Sequence, residues 1–159
     1  MDIYNASSTL TPEAARTFAK PPRRVIFLPG EELFRFGTIK GPAFKGSDVF
    51  GSPWWIPPAT YRLIAKTADR TGASMTEVTR SRLAVAPAWN PLMDWLMVIA
   101  LKKAVQAWVG PTRPQPLSDR DRSVILLGFY DQAYVPGLAP PEAMASEAAM
   151  LTYYGSAAV

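Results

Sequence analysis

The sequence predicts an α+β domain built on antiparallel sheets, and three observations lead there. Strand-like segments lie early (25–37) and late (104–136), and well-capped helix signals fill the middle, so strands and helices are segregated rather than alternating. No G-x-G-x-x-G follows a strand and no P-loop is present, which argues against a doubly wound parallel sheet. The 159 residues, 48% hydrophobic and 19% charged, suffice for one buried core and show no internal repeat or domain boundary.

Taken in order, residues 1–10 read as a loose lead-in. Thr11-Pro12-Glu13 starts a helix: Thr caps, Pro fits the first helical position, and Glu favours the positive dipole end. That helix should run to about Ala19 and stop before Pro21-Pro22. The apolar, β-branched VIFL at 25–28 predicts a strand, Pro29-Gly30 a turn, and 33–37 a second strand, together a hairpin. The stretch 39–50, with Lys40, Gly41, Lys45 and Gly46, is either an ordinary polar loop or a phosphate-contacting one. Residues 52–56 read as a short strand or an extended segment.

Pro57-Pro58 opens a helix to about Thr71, with Tyr61, Ile64, Ala65 and Ala68 on one face and Gly72 as its stop. Arg62, Lys66 and Arg70 form a basic stripe, which reads first as solvated surface. Ser74 to Glu77 is a capping box, so another helix should run to about Val85. The run 92–101 is almost wholly apolar, and periodicity does not separate buried helix from buried strand. A short helix to Leu101, followed by a strand over 104–109, is the expectation. Residues 123–129 read as the clearest strand and 132–136 as the next, and the tail from Pro141 reads as a helix.

Composition excludes several chemistries. There is no Cys, hence no disulfide and no thiolate zinc site; there is no His, hence no histidine triad, base or metal ligand. A net charge of +4 favours an anionic partner, and nucleic acid is one such class. The N-terminus lacks the pattern of a signal peptide. The most apolar run, 95–101, is far shorter than the roughly 20 residues of a membrane span and reads as core.

Arg35 lies between Phe34 and Phe36, and in a strand it must face away from both. Beyond the Gly/Lys loop come Ser52 and the pair Trp54-Trp55. A cation beside an aromatic face suits a planar, phosphate-bearing ligand. Each residue also has an ordinary reading: Arg35 as an exposed arginine or a partner of Glu31 or Glu32, Ser52 as a turn residue before Pro53, and at least one tryptophan as core.

The arginine strand LFRFG (33–37), the segment GSPWW (51–55), the helical middle, and the late segments AWVG (107–110) and LGFYDQAYVPGL (127–138) resemble the ADP-ribosyltransferase-like superfamily of bacterial toxin domains. The resemblance implies split antiparallel sheets with a helical middle, arranged as a lead-in and helix (1–22), a core (23–138) and a C-terminal helix (139–159) in a single domain. It implies NAD as substrate, cleaved at the nicotinamide–ribose bond. Arg35, with Phe36 and Gly37, falls on the family's NAD-contacting strand, Ser52 on its serine, and Trp54 or Trp55 on an aromatic that stacks on nicotinamide. Gln132 falls on the position of the catalytic glutamate. That departure favours an NAD glycohydrolase, since some hydrolysing relatives carry Gln there. Asp131 supplies a charge nearby but should face away from Gln132. The resemblance further implies a cognate immunity protein and a delivered effector acting in the target-cell cytoplasm while remaining cytoplasmic in its producer. Transfer of ADP-ribose to protein or nucleic acid is the nearest alternative; a non-catalytic basic binding module and an inactive assembly protein are the others.

Overall fold

The computed structural model describes residues 1–38, 52–138 and 150–153. The elements are α1 (Pro12–Arg16), β1 (Arg23–Phe27), β2 (Glu32–Gly37), β3 (Trp54–Trp55), α2 (Pro58–Thr71), α3 (Met75–Arg82), β4 (Trp95–Ala100), β5 (Val105–Pro111), β6 (Gln115–Pro116), β7 (Ile125–Leu126), β8 (Asp131–Tyr134) and β9 (Met150–Tyr153). They form an α+β fold with one sheet in the order β1-β5-β8-β3, a second in the order β2-β4-β9, and a small β6-β7 pair. The pairings between these strands are antiparallel.

The two larger sheets are halves of one bent ribbon. In the first, Arg23 stands opposite Val109 and Phe27 opposite Val105. In the second, Glu32 stands opposite Ala100 and Gly37 opposite Trp95, in the same register carried through the corner. The corner itself is bonded: the Gly30 N–H donates to Leu101 O at 2.8 Å and the Leu101 N–H to Glu31 O at 2.9 Å. Gly30 takes φ +90°, open to glycine and disfavoured for other residues. The expected β1–β2 hairpin is therefore wrong. Pro29-Gly30 does turn the chain, but it turns one strand of a ribbon from sheet to sheet, with its partner much later in sequence.

The apolar run at 92–101 is a strand, β4, not the expected helix. Its neighbours explain why it is apolar on both faces. Met97 and Ile99 enter a core with Phe27, Leu33, Trp55, Val105 and Val135. Leu96 and Val98 enter a second core with Phe36, Ile64, Val78 and Leu83 under the helices. A strand covered on both faces loses the alternation that would identify it. The strand expected over 123–129 shrinks to Ile125–Leu126. Gly128 and Phe129 turn to φ +66° and +69°, and Val124, Ile125, Leu127 and Phe129 are exposed rather than buried. The C-terminal helix is overturned where it is described: Met150–Tyr153 pairs with β4 as a strand. Residues 139–149, 154–159 and the Gly/Lys stretch at 39–51 lie outside the described residues.

The helices start where their sequence signals place them, but α1 ends at Arg16 and α3 at Arg82, short of the expected Ala19 and Val85. Thr11 caps α1 through a 3.2 Å bond from the Ala14 N–H. Gly72, at φ +76°, ends α2. Ser74 and Glu77 form the reciprocal capping box of α3.

The lead-in is anchored, contrary to expectation. Buried Asn5 donates to Gln106 O at 2.9 Å and to Pro136 O at 2.7 Å, and accepts from the Gln106 N–H at 2.8 Å. The Gln106 amide in turn donates to the carbonyls of Asn5, Ala6 and Ser8 and accepts from Arg24 Nε. Removing Asn5 orphans buried groups on two other segments. Asn5→Ala is expected to lower the unfolding free energy by about 2–4 kcal/mol, seen as a lower denaturant midpoint at unchanged slope. A loss below about 0.5 kcal/mol would show that the network does not hold this segment.

Candidate functional site

Arg35 projects from the β2 face that carries Leu33, away from Phe34 and Phe36, as strand alternation requires. Phe34 stacks on Tyr61 of α2, with centroids 4.1 Å apart, and Phe36 is buried beside the same helices. On the other face, Arg35 Nη1 donates to Ser52 O at 2.8 Å and to Trp54 O at 3.2 Å. Its guanidinium carbon sits 4.1 Å from the ring centroid of Trp55. Backbone bonds between Phe34 and Ile56, at 2.7 and 3.1 Å, bring β3 alongside β2 and make this reach possible. Neither Glu31 nor Glu32 pairs with Arg35, and among the described residues no carboxylate does. Burial pushes its pKa down to about 10, so it remains charged at neutral pH.

Arg35, Ser52 and Gln132, distant in sequence, line one cavity of about 510 Å3 between the two sheets, with Phe36, Gly37, Trp54 and Trp55. The volume lies within the usual range of small-molecule sites. Gln132 sits on β8 opposite Gly110, and its amide makes no hydrogen bond among the described residues. Asp131 faces elsewhere and pairs with Arg23 at 3.3 Å. The Ser52 hydroxyl accepts from the Trp54 N–H at 3.2 Å, an ordinary turn contact, while its carbonyl holds Arg35. The tryptophans are already engaged. Arg35 covers one face of Trp55, which is buried, and Trp54 tilts against Phe18 and Tyr134 at 5.6 and 5.0 Å.

The opposite wall was not anticipated from sequence. It is the loop 84–93, with Trp89, Asn90 and Met93 in the lining, to which Arg113 and Gln115 also contribute. Ala84 and Met93 take φ +50° and +49°, a strained backbone for residues with a Cβ. Bonds hold the loop in this form. Arg80 donates to the carbonyls of Val85, Asn90 and Pro91 at 3.0, 2.9 and 3.1 Å. The Asn90 amide donates to Phe36 O at 2.9 Å, and Thr38 Oγ1 accepts from the N–H groups of Leu92 and Met93. The only legible signal was an isolated tryptophan inside the Pro-rich stretch PAWNP, outside any periodic pattern.

The lining contains two cations, Arg35 and Arg113, and no carboxylate among the described residues. Such a cavity favours an anionic ligand. No three His, Cys, Asp or Glu among the described residues lie close enough together to hold a metal ion, and no described helix is long and apolar enough to cross a membrane.

Arg80 is the hub of the loop wall. Arg80→Met should cost about 1–3 kcal/mol of stability. Amide hydrogen exchange should accelerate over 84–93 while protection of β5 is unchanged. Equal acceleration in both segments would mean that Arg80 supports the whole fold rather than this wall.

No family model matches the chain, and no curated protein matches it. A solved structure described as "Rhs1-CT in complex with cognate immunity protein RhsI1" superposes with a TM-score of 0.53 at 15% identity, covering 87% of this chain and 85% of that one. At that identity the likeness is one of fold.

Proposed function

We propose that this chain is a toxin domain that consumes NAD by hydrolysing its nicotinamide–ribose bond. The observation that carries the proposal is the convergence of Arg35, Ser52 and Gln132 on one cationic cavity. The sequence resemblance to ADP-ribosyltransferase-like toxins had required these three to meet. The fold likeness to Rhs1-CT, solved in complex with its cognate immunity protein, supports the same reading. On this reading the protein is a delivered effector, and a cognate immunity protein blocks it in the producing cell.

The residue inventory suits the reaction. Nicotinamide leaves as a neutral base from a cationic ring, so no general acid is needed. Water adds to the ribose anomeric carbon and gives up a proton, yielding ADP-ribose. The protein must hold the dinucleotide and favour the oxocarbenium-like state. Arg35 has donors left over after its two carbonyl bonds and is suited to phosphate or ribose oxygens. The Gln132 amide, without a hydrogen bond among the described residues, is suited to a ribose hydroxyl.

Purified protein incubated with NAD should release nicotinamide and ADP-ribose without any target, read by chromatography. Gln132→Ala should lower that rate tenfold or more, yet shift stability by less than about 0.5 kcal/mol, because the amide has no hydrogen-bond partner among the described residues to lose. NAD loss only in the presence of a protein or nucleic-acid target would redirect the assignment to a transferase. NAD left intact alone and with cell extract would overturn it.

A further inference from the structure

The cavity has a buried end and an exposed rim. Trp55 at the buried end is 1% exposed, whereas Trp89 on the rim is 64% exposed. A tryptophan left in solvent on a loop held by Arg80, Asn90 and Thr38 is a rigid, preorganised aromatic surface with an open face. Arg113 shares the rim. Its backbone is fixed by a 2.9 Å bond from its N–H to Thr17 O, its side chain is exposed, and it joins no ion pair among the described residues. An exposed indole and an exposed guanidinium in the lining of one cavity are the components of a nucleotide subsite: a base stacks on the ring and a phosphate meets the cation.

We propose that the rim is a purine-nucleotide subsite, with Trp89 stacking on the base and Arg113 contacting the phosphate. The orientation rests on the functional reading above. If the nicotinamide riboside end reaches half-buried Gln132 and Arg35, the adenosine end lies outward, at the rim. The binding claim itself needs only the rim residues.

The probe is ADP, titrated against the intact protein by calorimetry and by tryptophan fluorescence. Wild type should bind ADP with quenching of the exposed indole. Trp89→Ala should weaken binding about tenfold, since stacking on a base is worth on the order of 1–3 kcal/mol, and Trp89→Phe should restore most of the loss. Arg113→Gln should weaken binding by a similar factor and flatten its salt dependence. Both side chains are exposed, so the variants fold. Equal ADP affinity across all variants, or no ADP binding by wild type, overturns the subsite. NAD cleavage by wild type is read separately. Cleavage with unaltered ADP affinity in the variants sinks the subsite and leaves the enzyme; ADP binding lost in the variants, with NAD left intact by wild type, does the reverse.

Discussion

One constraint organises the molecule: a two-stranded antiparallel ribbon, residues 23–37 against 95–109, keeps a single register while it bends. The bend at 28–31 and 101–104 divides it between two sheets without breaking its hydrogen bonding, because the corner residues bond to each other. Once the ribbon is bent, the remaining strands have little freedom. β8 and β3 extend one half and β9 extends the other. The return of β3 to β2 through the Phe34–Ile56 bridge joins the halves a second time and leaves the cavity between them.

Arg35 sits at that second junction, which resolves the apparent anomaly of an arginine between two phenylalanines. It ties the 52–54 backbone to β2 through two carbonyls and lays its charge over Trp55. Burying a cation is unfavourable, and the lowered pKa expresses that. Two neutral acceptors and a ring face offset only part of the penalty, and no carboxylate among the described residues completes it. The residue that closes the sheets together is thus also the residue with most to gain from a bound anion. A structural and a binding role coincide in one side chain.

Local signals were legible where local physics decides. The Thr11 cap, the Ser74–Glu77 box, the Gly72 stop and the alternation of Phe34, Arg35 and Phe36 all appear as the residues imply. What failed was set by distant partners. The Pro29-Gly30 turn looks the same whether its flanking strands pair with each other or with residues 95–109. The run 92–101 is apolar throughout because both its faces are covered, which erases the period that would reveal a strand. Residues 123–129 show the converse: apolar and β-branched, yet largely in solvent. The cavity lining divides in the same way. A resemblance in short motifs singled out Arg35, Ser52 and Gln132, which line it, whereas Trp89 and Arg113 belong to irregular segments placed by hydrogen bonds that no motif encodes.

The electrostatics of the cavity bear on which molecule the proposed reaction would accept. Among the described residues, two arginines and a neutral amide at position 132 make the lining net positive, and a positive lining opposes a transition state that gathers positive charge on ribose. A carboxylate at 132 would offset that field directly; an amide does not. The compensation must then come from the substrate. A pyrophosphate carries enough negative charge to neutralise both guanidinium groups, and a bare nicotinamide riboside carries none. On the proposed reading, the phosphates therefore serve in catalysis as well as in binding: once they cover Arg35 and Arg113, the cavity no longer works against departure of the pyridine. Selectivity would accordingly reside in the phosphate-bearing part of the molecule, away from the bond that breaks.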